Sequence, residues 1–103
     1  VFDVRFLPNP YYIEELKTKT GLEAAVEEYI FSYQQSQDYL DRLQSLLEFS
    51  LPLYAAEGKT ALVIAVGCTG GRHRSVTIAK RIAELTAQLG YQTVCNHRDL
   101  GRA

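Results

Sequence analysis

The spacing of apolar and polar positions changes period along the chain. Val1 to Leu7 alternates through its middle and carries β-branched and aromatic residues, which predicts a first strand. Pro8-Asn9-Pro10 ends it, because proline cannot donate to a sheet ladder. Tyr11 to Lys19 reads as a connector with one short helical turn. After Thr20-Gly21, the residues Leu22, Val26, Tyr29, Ile30 and Tyr33 fall on one face of a helix. Leu40, Leu43, Leu47, Leu51 and Tyr54 repeat that spacing in a second helix, which Pro52 is expected to kink or end. Thr60 to Val66 is a continuous apolar run, the pattern of a strand covered on both faces. A loop follows, then a third helix with Ile78, Ile82, Leu85 and Leu89 on one face and Gly90 as its cap. Tyr91 to Cys95 predicts a short last strand, so the final strand, helix and strand form a right-handed crossover. The expected class is α/β: a small, mainly parallel sheet flanked by helices, with an anion site at a strand-loop-helix junction.

Composition narrows the class further. The 103 residues are 47% hydrophobic and 22% charged, which excludes a disordered tail and a disulfide-dense miniprotein. The longest apolar run, Ala61 to Val66, is far shorter than the roughly 20 residues of a membrane-spanning helix, so no membrane partner is expected. Cys68 and Cys95 form no C-x-x-C pair, and no metal site is expected. A cytoplasmic location is the simplest reading. Methionine is absent even from position 1, and the chain opens inside a strand-like run, so it is expected to be a piece of a longer protein. The net charge of −1 hides an asymmetry: residues 1–57 hold four basic and ten acidic side chains, residues 58–103 seven basic and two acidic. The second half is therefore the expected anion-facing half.

Candidate chemistry concentrates in Cys68-Thr69-Gly70-Gly71-Arg72-His73-Arg74-Ser75. These residues leave the carboxyl end of an expected strand and open a helix, the edge at which open α/β sheets bind ligands. Unpaired amides and the helix dipole favour an anion there. Gly70 and Gly71 let the loop curl, while Arg72, Arg74 and His73 supply donors suited to phosphate oxygens. No Walker A motif is present in the chain. Asp3, Arg5 and Asn9 are expected as further contributors, since the first strand should end beside the loop. Arg72, Arg74, Lys80, Arg81, His97, Arg98 and Arg102 form a candidate basic surface for RNA. An alternative reading is enzymatic. Cys68, Arg74 and Ser75 match the C-x5-R-[ST] loop of cysteine-dependent phosphatases, with Cys68 as nucleophile and Arg74 as phosphate clamp.

Three segments carry a resemblance over nearly the whole chain: Asp3-Val4-Arg5-Phe6-Leu7-Pro8-Asn9-Pro10, Gly21-Leu22, and Gly67 to Val76, with His97-Arg98 near the end. They resemble the C-terminal domain of the RapZ family of bacterial RNase adaptors, also described as nucleotide-binding proteins of the YvcJ type. The resemblance implies a domain that is not itself an enzyme. It implies an N-terminal P-loop domain outside these residues that binds ATP or GTP, with no cofactor in this one. It further implies binding of a phosphorylated amino sugar such as glucosamine-6-phosphate, small regulatory RNA and an endoribonuclease as partners, and homo-oligomers.

Overall fold

The computed structural model describes residues 1–100. Strand β1 is Phe2–Asp3, a 3-10 turn covers Pro10–Tyr12, and helices α1 (Ala24–Phe31) and α2 (Gln34–Ala56) follow. Strand β2 (Val66–Gly67) leads through the glycine loop into α3 (Arg74–Gln88). The two strands pair in parallel, Phe2 opposite Val66 and Asp3 opposite Gly67. The molecule is thus α/β, with a small parallel sheet and three helices, as the periodicity predicts.

Each element has a local cause. Asn9 accepts the Tyr11 amide at 3.1 Å and starts the 3-10 turn. Ahead of α1, the Glu23 carboxylate accepts the Thr20 amide at 2.8 Å and the Thr20 hydroxyl accepts the Leu22 amide at 3.3 Å, a reciprocal pair of the capping-box kind. The end of α3 is closed by Gly90 N–H to Ala87 C=O and Tyr91 N–H to Thr86 C=O, the paired bonds of a Schellman motif. Val26 and Ile30 of α1, Leu43, Leu47 and Leu51 of α2, and Ile78 and Ile82 of α3 meet Val4 and Leu7 in one buried cluster. Those are the faces the helical spacing marks; Leu22, Tyr33 and Tyr54, at the ends of the same stripes, stay exposed.

Three expectations are corrected. First, of the kink or end expected at Pro52, the end does not occur: α2 runs through Pro52 to Ala56. Pro52 lies on the exposed side of the last turns, where the missing N–H is least costly. Second, Thr60 to Val66 is not a strand covered on both faces: only Val66–Gly67 is paired, and Val63 is 87% exposed. In the parallel register Phe2 lies opposite Val66 and its N–H reaches Ala65 C=O at 2.8 Å, so residues 60–64 lie upstream of the paired stretch and have no strand partner among the described residues. Third, Tyr91 to Cys95 forms no strand, and the expected crossover unit does not close. This segment is held to α3 instead, by a 2.8 Å contact between the Thr86 and Thr93 hydroxyls.

Candidate functional site

The glycine loop is positioned from three sides. On one side, Val4 N–H donates to Gly67 C=O at 2.9 Å, which fixes the strand end from which the loop departs. On another, Gly21 clamps the start of α3. Its N–H donates to Arg72 C=O at 2.8 Å, and its own carbonyl accepts the Thr77 hydroxyl at 2.9 Å. A Cβ on Gly21 would run into the His73 carbonyl and stand 2.7 Å from the Thr77 amide nitrogen, so only glycine fits. On the third side is a groove of about 930 Å³, bordered by the extended segments 59–66 and 91–99 and by α3. Cys68, Gly71 and Ser75 open onto it.

Within the loop, Gly70 and Gly71 adopt φ of +82° and +68°, the curled conformation expected of the pair. Thr69 and Gly70 are exposed, Cys68, Gly71 and Arg72 half-buried, and His73, Arg74 and Ser75 buried. Among the described residues, no hydrogen bond ties the amides of Thr69, Gly70, Gly71, Arg72 or His73 to the rest of the chain. The Ser75 amide donates to Cys68 Sγ at 3.4 Å, which places the sulfur at the amino terminus of α3.

Two basic residues of the loop behave differently. Arg74 is 4% exposed, and its guanidinium reaches back under β1. Its Nη1 donates to the Arg5 carbonyl and, at 3.3 Å, to the Leu7 carbonyl. Arg74 therefore fastens the turn after β1 to the start of α3. Arg74 Nε and His73 Nε2 are buried with no hydrogen-bond partner among the described residues. Two such orphaned polar atoms in one turn are unusual in a folded chain.

The remaining candidate residues are distributed as follows. Asp3 lies beside Gly67 on β1 and pairs with Arg5 at 2.7 Å. Hydrogen bonding from the Arg5 guanidinium holds the Asp3 carboxyl below the usual carboxylate range. Asn9 spends its side-chain oxygen on the 3-10 turn. Lys80 and Arg81 both pair with Glu27 of α1, at 3.7 and 2.8 Å, and Arg81 also covers the Phe31 ring at 4.9 Å. Glu27 is a partner that sequence spacing could not reveal, being more than fifty positions away. His97 Nε2 lies 3.7 Å from Cys95 Sγ, and burial pushes the Cys95 thiol up. Arg98 pairs with Asp99 at 3.2 Å. Arg102 lies outside the described residues. Asp99 is the residue that motif reasoning missed as part of the loop's surroundings. Its carboxylate rests on Gly71, where a Cβ would stand 2.6 Å from Asp99 Oδ2.

No helix among the described residues is long and apolar enough to cross a membrane. A family model described as the RapZ C-terminal domain matches residues 1–101. A nucleotide-binding protein of Caldicellulosiruptor saccharolyticus is 54% identical over 100 residues, covering 97% of this chain and 34% of the relative. One from Listeria monocytogenes is 52% identical over 102 residues, covering 99% and 35%, and one from Staphylococcus epidermidis is 53% identical over 100 residues, covering 96% and 33%. The chain spans about a third of the length of these relatives. The three segments that carried the resemblance thus lie within an almost end-to-end match, and the chain belongs to the RapZ family as its C-terminal domain.

Proposed function

We propose that this domain is a sensing and binding module that recognises a phosphorylated small molecule at the Cys68–Ser75 loop. The observation that carries the reading is the loop itself: five amides with no acceptor among the described residues, two left-handed glycines and the amino terminus of α3 in one turn. Such a turn offers several N–H donors and a partial positive charge to one oxyanion. In this reading Cys68, Thr69, Gly70, Gly71, His73 and Ser75 border the anion and the half-buried Arg72 supplies a guanidinium. Arg74 holds the loop against β1, where Asp3, Arg5 and Asn9 shape the neighbouring edge.

The family supports an amino-sugar phosphate such as glucosamine-6-phosphate as the ligand, and small regulatory RNA as a second partner on the basic side of the molecule. An endoribonuclease would then act on the RNA so presented, in the cytoplasm and from a homo-oligomer that multiplies a small basic patch. ATP or GTP belongs to a P-loop domain elsewhere in the whole protein, which agrees with the nucleotide-binding names of the relatives. Isothermal titration with glucosamine-6-phosphate tests the ligand site. Saturable binding that Arg72→Ala weakens at least tenfold is expected, and heat signals unchanged by that substitution would remove the loop from the reading.

The contact between the Ser75 amide and Cys68 Sγ favours a second, hydrolytic reading, in which Cys68 attacks a phosphate ester. Cys68→Ser separates the two. A binding site keeps most of its affinity with a serine there, whereas a phosphatase loses nearly all turnover of an aryl phosphate.

A further inference from the structure

The segment after the last extended stretch comes back to the glycine loop. Asp99 Oδ2 and Cβ would stand 2.6 and 3.1 Å from a Cβ on Gly71, and its side chain is only 25% exposed. Arg98 holds the same carboxylate, Nε to Oδ1 at 3.2 Å and Nη2 to Oδ2 at 3.3 Å, while remaining 81% exposed itself. Cys68, Gly71, Ser75, Arg98 and Asp99 all border one groove. A negative side chain therefore packs on the turn in which, among the described residues, the amides of Thr69 to His73 have no hydrogen-bond acceptor.

We infer that Asp99 is a gating carboxylate for the anion loop. This rests on the proposed anion reading and adds its regulation. With the site empty, the Asp99 carboxylate stands against Gly71, partly offsetting the positive field of the loop and keeping Arg98 engaged. A phosphate dianion carries twice that charge and is repelled by a carboxylate in contact with the same turn. On binding, the oxyanion takes over the Arg98 guanidinium as a charge-assisted partner, and the segment carrying His97, Arg98 and Asp99 leaves Gly71. Occupancy of a small site is thereby converted into rearrangement of a basic segment at the surface.

Inorganic phosphate is the probe, and nuclear magnetic resonance on the purified protein the readout. In the ligand-free wild type, a nuclear Overhauser contact between the Asp99 β protons and the Gly71 α protons is expected, and saturating phosphate should abolish it. Asp99→Asn should tighten phosphate binding about tenfold, the scale of one like-charge contact near a protein surface. If wild type and Asp99→Asn bind phosphate equally and the contact persists in the complex, the gate is overturned and the anion site stands. If neither protein shifts the loop resonances with phosphate, the anion site falls and the gate with it.

Discussion

Arg74 and Arg72 sit two positions apart and do different jobs. Arg74 is buried and fastens two carbonyls of the turn after β1, so its removal leaves the buried Leu7 carbonyl and the part-buried Arg5 carbonyl without that donor. Arg74→Ala should cost about 3 kcal/mol in chemical denaturation, the scale of breaking a buried, charge-assisted hydrogen bond. Arg72 is half-buried and makes no side-chain hydrogen bond among the described residues, so Arg72→Ala should cost about 1 kcal/mol or less and lower anion affinity instead. Equal stability losses for the two variants would contradict this division. Gly21 is a second sharp case. The atoms a Cβ would strike belong to the His73 carbonyl and the Thr77 amide, backbone that starts α3 and cannot yield cheaply. Gly21→Ala should therefore destabilise by about 1–3 kcal/mol or more, read from a shift of the unfolding midpoint, and it should loosen the anion loop at the same time.

Helix α2 carries its proline without stopping. Pro52 donates no hydrogen bond to the carbonyl four residues back, and the position is exposed. Pro52→Ala should stabilise the protein, by up to about 3 kcal/mol less whatever the looser unfolded chain gives back. An unchanged or lowered midpoint would mean that the ring makes a contact worth keeping. The two extended segments invite a separate measurement. Among the described residues, no backbone bond pairs segment 61–65 with segment 91–97. Amides of Leu62, Val63 and Ile64 should exchange with solvent far faster than those in the middle of α3. Strong protection there would show that the pairing expected from the apolar run forms in solution.

Across the whole molecule, acidic and basic halves meet rather than separate. Glu27 of α1 engages Lys80 and Arg81 of α3, so two cations that looked available for RNA already have a carboxylate partner. Arg98 likewise carries Asp99. The basic surface offered to a polyanion is therefore smaller than the count of lysines and arginines suggests. If this face binds RNA, Glu27→Gln releases Lys80 and Arg81 together. Affinity should rise, and the slope of log affinity against log salt should steepen by roughly 1–2. A slope that does not move would place the RNA on another face.

The chain's local grammar was legible without coordinates. Helical spacing marked Val26 and Ile30, Leu43, Leu47 and Leu51, and Ile78 and Ile82 as the buried faces, because a helix repeats often enough to show its stripe. The glycine pair and the cap at Gly90 were legible for a similar reason, since the backbone geometry they permit is a property of one residue. Membership of the RapZ family rested on long strings in a fixed order, and the match over residues 1–101 agrees with it. Pairing was not legible. Whether Thr60 to Val66 and Tyr91 to Cys95 find partners depends on the register in which β1 pairs and on a hydroxyl contact from α3, neither of which an apolar run encodes. Charge was not legible either, because a guanidinium reads the same in sequence whether it faces a ligand, as Arg72 is proposed to, or the carbonyls of a distant turn, as Arg74 does. Tertiary structure decided those points: Arg74 meets the Leu7 carbonyl from 67 positions away, and the Thr86–Thr93 contact needs the chain to turn back after α3, so both exist only once the chain has closed on itself.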